Sequence, residues 1–153
     1  MPTLTIRDSA TVPAPAPIVY GLIADYRAGH PSILPRKYFE NLVVEEGGTG
    51  AGTKIHFTML SYGKRQVMHA RITEPEPGRV LVETYEQTGT ETRFTVEPLG
   101  PSSARVTFET QYRANGIRGW FEALVVPRYL RKVYAAELSL LGDRAVAAYR
   151  GGT

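Results

Sequence analysis

Apolar and polar residues alternate from the start of the chain. In "TLTIRDSATV", Leu4, Ile6 and Val12 fall on one face and Thr5, Arg7, Ser9 and Thr11 on the other, a strand that "PAPAP" stops. The spacing then becomes helical in "PIVYGLIADY", where Pro17 suits a first turn and Ile18, Leu22 and Ile23 share a face. Gly29-His30-Pro31 ends that helix. The loop "HPSILPRKYFENLVVEEGG" follows and runs into a strand near Asn41–Glu46. From Thr53 to Tyr112, "TKIHFTMLSY", "RQVMHARI", "RVLVETY", "TRFTVE" and "ARVTFETQY" all alternate, separated by turn signals at Gly63-Lys64, Pro75 to Gly78, Thr88-Gly89 and Gly100-Pro101. The tail from about Gly119 to Tyr149 is helical, with Leu124, Leu130, Tyr134, Leu138 and Leu141 on its apolar face. Pro127 should kink this tail or mark the joint of two helical pieces.

Only the C-terminal helix is long enough to cover the apolar face of such a meander, which predicts an α+β fold with a curved antiparallel sheet wrapped around it. If Gly63-Lys64 forms a two-residue hairpin loop, Ile55 pairs with Ile72, Phe57 with Ala70 and Met59 with Met68, so apolar residues meet apolar ones. His56, Thr58, His69 and Arg71 then go together to the other face. Carried across the sheet, the inner face has one row of Ile55, Ile72, Val80, Val96 and Val106, and a middle row of Phe57, Ala70, Val82, Phe94 and Phe108. The last row is Met59, Met68, Thr84, Thr92 and Thr110, with Tyr112 just beyond. The first row reads as a dry core. The last combines adaptable thioethers with hydroxyls that need partners, as expected where the space between sheet and helix opens into a pocket.

Composition narrows the classes. A chain of 153 residues with 42% apolar content is expected to fold as one domain, residues 1–153. The absence of cysteine removes disulfide and thiolate chemistry. No secretory signal pattern and no membrane-length apolar run are present, so a cytoplasmic protein without stable membrane insertion is expected. The net charge of +3 is spread out, with Arg128, Arg131 and Lys132 as the only tight basic group. That is too sparse to predict a nucleic-acid partner. The oligomeric state is not legible.

Most chemical motifs fail on inspection. In "GGTGAGTK" the order of Thr53 and Lys54 is reversed for a phosphate loop and a strand follows instead of a helix, so a glycine-rich connection is expected. Asp25, His30 and Ser32 are triad residue types, but lie too close in sequence for triad geometry, and no nucleophile elbow exists. His56 and His69 fall diagonally across a hairpin on the outer face without a clear third ligand, so no metal is expected. Nothing calls for a cofactor. Asp8 is in phase with Leu4 and Ile6, and is either an inward carboxylate or a strand end turning to water. With His30 and Tyr112 it makes up the short list of weak acid–base candidates.

Taken in order, "VPAPAPIVYGLIADY", "VVEEGGTGAGTKIHFTM", "TEPEPGRVLVET" and "TRFTVEPLG…ARVTFET" resemble the START-like, helix-grip (SRPBCC) superfamily of polyketide cyclase/dehydrase-type proteins and the birch-pollen-allergen family. The resemblance spans nearly the whole chain. It implies a helix-grip fold with about seven strands, two short helices after the first strand, and a deep cavity for lipids, polyketides or isoprenoid-like molecules. It implies little about chemistry, because such folds host carriers, receptors and enzymes. On this basis the ligand site comprises Met59, Met68, Thr84, Thr92, Thr110, Tyr112, Phe57, Phe94, Phe108, Trp120, Leu124 and Tyr134, with Ile33, Leu34, Tyr38 and Phe39 at its mouth. The expected function is binding of a small hydrophobic molecule. The alternatives are a cyclase, dehydratase or aromatase using acid–base groups in the same cavity, and a partner-binding module using the outer sheet face or the basic group.

Overall fold

The computed structural model describes residues 3–61, 63–113 and 116–151, without the side chains of 113–125. The elements are β1 (Thr3–Val12), α1 (Ala16–Ala24), α2 (Gly29–Ile33), β2 (Phe39–Glu46), β3 (Lys54–Ser61), β4 (Lys64–Glu76), β5 (Val80–Tyr85), β6 (Glu91–Gly100), β7 (Ser103–Arg113) and α3 (Gly116–Gly151). The strands form one antiparallel sheet of seven in the order β1-β7-β6-β5-β4-β3-β2. Only the step from β1 to β7 is non-sequential, and it brings the first strand beside the last.

Gly29-His30-Pro31, expected to end the first helix, instead opens a second one. Asp25 breaks the chain by accepting backbone hydrogen bonds from Arg27, Ala28 and Gly29, and Pro31 falls in the first turn of α2, where no donor is needed. Burial opposes ionisation of Asp25, but those three N–H groups and the Arg27 charge outweigh it and hold its carboxyl below the usual range. The glycine-rich β2–β3 connection docks on this corner. Gly48 O accepts from Tyr26 N at 2.8 Å, Gly50 N donates to Ala24 O at 2.9 Å, and a Cβ at Gly50 would stand 2.1 Å from Glu74 Oε1. Glycine is needed there by contact as well as by its φ of +61°.

The β6–β7 register is as read from the sequence: Val96 faces Val106, Phe94 faces Phe108 and Thr92 faces Thr110. The β3–β4 hairpin departs by two residues. Lys64 is a ladder residue paired with Ser61, so Ile55 faces Ala70, Phe57 faces Met68 and Met59 faces Gln66. A shift of two leaves every side chain on its expected face. In β5 the departure changes the face. An irregularity between Thr73 and Glu76 of β4 flips its phase, so Leu81, Glu83 and Tyr85 turn inward where Val80, Val82 and Thr84 were expected. Val80 and Val82 are buried but lie outside the main core cluster.

α3 is one continuous helix with Pro127 inside it, not two joined pieces. Val133, Tyr134, Leu138, Leu141 and Ala145 form its buried stripe and join Ile6, Val96, Val106, Phe108 and the α1 residues Val19 and Ile23 in the core. That packing is solid towards the C-terminal end of α3. Towards its middle the space between helix and sheet opens.

Candidate functional site: a cavity with a buried acid–base network

The opening is a cavity of about 480 Å³, within the range of small-ligand sites. The inner faces of β3 to β7 form one wall and α3 from Val126 to Glu137 the other, with α2 and β2 at the rim. Much of the lining is apolar: Leu34, Phe39, Leu42, Phe57, Met59, Met68, Phe94, Leu130 and Val133. Tyr129 donates a hydrogen bond from its hydroxyl to Leu60 O, which ties the helix to the end of β3, and Tyr38 meets the Tyr129 ring edge-on at 5.6 Å.

The polar lining groups are connected. Glu83, on β5, accepts hydrogen bonds from the hydroxyls of Tyr26 at 2.6 Å and Tyr85 at 2.9 Å. His30 Nδ1 lies 2.7 Å from Ile23 O, which can only accept, so that nitrogen carries a proton. This leaves Nε2 facing Glu83 Oε2 at 3.4 Å. The His30 ring is fixed by stacking on Tyr26 at 4.3 Å and by the edge of Phe94 at 5.7 Å. Thr92 and Thr110 exchange a hydrogen bond of 2.8 Å across β6 and β7, and Thr110 is bonded to the Tyr134 hydroxyl on α3.

Glu137, one turn beyond Tyr134, completes the site. Its burial, and then the nearby Glu83 carboxylate, push its pKa well above the usual carboxylate range and so favour the protonated acid. Burial followed by the Glu83 charge also raises the Tyr26 and Tyr85 phenols, and burial followed by the Glu137 charge raises Tyr134. These hydroxyls stay protonated. Chemically, the wall offers a carboxyl whose protonated form is favoured, an imidazole facing a carboxylate and several fixed hydroxyls beside a mainly apolar chamber.

Of the residues expected to contact a ligand, Phe57, Met59, Met68, Thr92, Phe94, Thr110, Tyr112 and Tyr134 line the cavity. Phe108 lies behind it, fully buried. Thr84 is on the outer face because of the β4 irregularity. The side chains of Trp120 and Leu124 are outside the described ones. At the mouth, Leu34 and Phe39 line the cavity, Ile33 is core, and Tyr38 packs on Tyr129. His30 is brought into the site and Tyr112 borders it. Asp8 is not; it lies half-buried in a separate groove between β1 and α3. Asp25 and Ser32 spend their side chains on local backbone, so no triad forms with His30.

The sequence reading missed Glu83 and Glu137. Glu83 is in phase with Leu81 and Tyr85, and Glu137 falls on the Leu130, Tyr134, Leu138 and Leu141 stripe. A carboxylate in an apolar phase was the available signal in both cases.

A seven-stranded antiparallel sheet gripping one long helix around a cavity defines the helix-grip fold of START-like proteins. The chain belongs to the polyketide cyclase/dehydrase and lipid transport family, which it matches over residues 3–146. Among solved structures it is similar to the KanY protein (24% identity, 95% of this chain and 99% of that one, TM-score 0.81). It is also similar to the ZhuI aromatase/cyclase from Streptomyces sp. R1128 (17% identity, 96% of both chains, TM-score 0.78). A START superfamily protein from Mycobacterium smegmatis is a third (15% identity, 94% and 97% coverage, TM-score 0.72). At these identities the likeness is one of fold. No curated protein matches the sequence. Among the described residues no helix is long and apolar enough to cross a membrane.

Proposed function

We propose that the chain binds a small, mainly apolar molecule bearing carbonyl or hydroxyl oxygens, of polyketide or lipid type, between the sheet and α3. The observation that carries this is the composition of the cavity: thioether, aromatic and aliphatic walls with oxygen-directed groups gathered in one network. The family to which the chain belongs supports the same class of ligand. Met68 lies opposite Phe57 on the cavity wall and is half-buried, so a larger side chain there fills the chamber without displacing the core. The M68W variant should bind a fluorescent hydrophobic probe at least about tenfold more weakly than wild type while keeping its thermal midpoint within about 4 °C. Equal affinity in the two proteins contradicts the assignment.

A second reading rests on one observation, the convergence of His30, Glu83 and Glu137. Protonated Glu137 can hydrogen-bond a ligand carbonyl and support charge developing on its oxygen, while the His30–Glu83 pair accepts a proton from the adjacent carbon. The enolate then either expels its β-hydroxyl, which leaves as water with the proton that the pair returns, or attacks a second carbonyl, whose new alkoxide takes that proton back. The same ligand class serves both readings. Conversion of a bound poly-β-carbonyl compound by wild type but not by H30Q separates enzyme from carrier.

A further inference from the structure

On the outer face of the sheet, away from the cavity, His56 and His69 stand directly opposite each other on β3 and β4 rather than diagonally, with ring centroids 5.6 Å apart. This is the consequence of the two-residue shift in hairpin register. The edge strand β2 supplies a third group. Val43 pairs with His56 and Val44 with Ile55, but Glu46 pairs with Lys54, so Glu45 is the extra residue of a bulge. Bulges re-aim side chains, and this one carries the Glu45 carboxylate onto the histidines. Glu45 Oε1 is 2.6 Å from His56 Nδ1 and 3.6 Å from His69 Nδ1, and the three ligand atoms lie within 4.8 Å of one another.

We infer that Glu45, His56 and His69 form a binding site for a divalent transition-metal ion, of the zinc, cobalt or nickel type, on the outer face of the sheet. With metal–nitrogen bonds of about 2.0–2.1 Å, tetrahedral ligands stand roughly 3.3 Å apart, which the observed separations bracket. Rotations of the side chains suffice, because the strands already set the spacing. Entry of the ion replaces the His56 Nδ1–Glu45 hydrogen bond with metal–ligand bonds, and such binding to imidazole and carboxylate is pH-dependent. Two imidazoles and one carboxylate select borderline transition ions, whereas calcium and magnesium require more oxygen ligands. Three protein ligands leave a fourth position open to water or an outside donor.

The site spans the edge strand and the hairpin that forms part of the cavity wall. His56 and His69 are the sequence neighbours of Phe57 and Met68, whose side chains line the chamber on the opposite face. A bound ion therefore clamps β2 to β3 and β4 directly behind that wall and stabilises the fold by mass action.

The test is titration of tag-free, chelator-treated full-length protein with zinc chloride by calorimetry, and with cobalt chloride by visible absorption. The third histidine is buried in the cavity wall, and the chain has no cysteine, so competing nitrogen and sulfur ligands are few. The expected result is one ion per chain, half-saturated at about 10 μM zinc or lower, with a rise in thermal midpoint. H69Q should weaken binding about thirtyfold or more and E45Q about tenfold, both without the midpoint rise. E46Q, at the neighbouring exposed carboxylate, should bind as wild type does. Because the ligands lie on the outer face, circular dichroism of the metal-free variants should match wild type; were H69Q to misfold, E45Q and the cobalt spectrum still decide. Zinc binding that survives in an H56Q/H69Q double variant, or wild type that takes up no ion at 1 mM by either readout (about 4 kcal/mol or less of binding free energy), overturns the assignment.

Discussion

Replacing Phe108 by alanine is expected to lower the unfolding free energy by about 3–5 kcal/mol, measured by urea denaturation at neutral pH. Phe108 is fully buried on β7. Its ring sits edge-on to Phe94 at 4.8 Å and to Tyr134 at 5.7 Å, so it joins sheet to helix where the solid core meets the cavity. Truncation removes the transfer free energy of the ring and both aromatic contacts, and leaves a hole that close-packed neighbours cannot fill. V67A tests the specificity of this loss, since Val67 is 51% exposed and its truncation should cost within about 0.5 kcal/mol. A loss below about 1 kcal/mol for F108A would mean that Phe108 does not join the two layers.

The second large effect is a pH dependence. Glu137 has a folded-state pKa raised well above its unfolded value, by burial first and then by the Glu83 carboxylate. Above the unfolded pKa, near 4.5, the unfolded chain has released this proton while the folded chain keeps it. Stability contributed by the group is thus fully present below that pH and is lost as pH rises towards the folded pKa, with a slope of about 1.4 kcal/mol per pH unit. Glutamine retains the shape and a donor but does not titrate. E137Q should therefore match wild type near pH 4.5 and become progressively the more stable of the two as pH rises above it. Parallel stability–pH curves for the two proteins would show that Glu137 ionises freely in the fold.

The sequence made the architecture legible because the constraints were redundant. In β6 and β7, Val96 with Val106, Phe94 with Phe108 and Thr92 with Thr110 match in type as well as in phase, and the ladder follows them. The β3–β4 hairpin shows what pattern alone leaves open: apolar matching fixes which face a residue takes, but a shift of two residues satisfies it equally well. That shift was enough to turn two diagonal histidines into an opposed pair. In β5 the irregularity after Thr73 has no sequence mark stronger than Pro75, and "RVLVETY" carries apolar residues in both phases, so alternation alone fits either set as the inner one.

The same preference hid the polar half of the site. Alternation places carboxylates outward by default, and Glu83 and Glu137 are inward because other buried groups meet them: two phenols and an imidazole at Glu83, and the site around Glu83 at Glu137. Those partners come from α1–α2, β5 and α3, and only the tertiary fold assembles them. His30 was a candidate by residue type alone. What makes it chemically useful, a fixed Nδ1 and an Nε2 facing Glu83, depends on Ile23 O and the turn of α2.

A ligand chamber between sheet and helix should show itself in native mass spectrometry of wild type and M68W after incubation with a mixed lipid and polyketide extract and removal of unbound material. One small molecule should be retained per wild-type chain and released on denaturation, with occupancy in M68W reduced about tenfold. Bare wild-type protein at every extract concentration, or equal retention by both proteins, would contradict it.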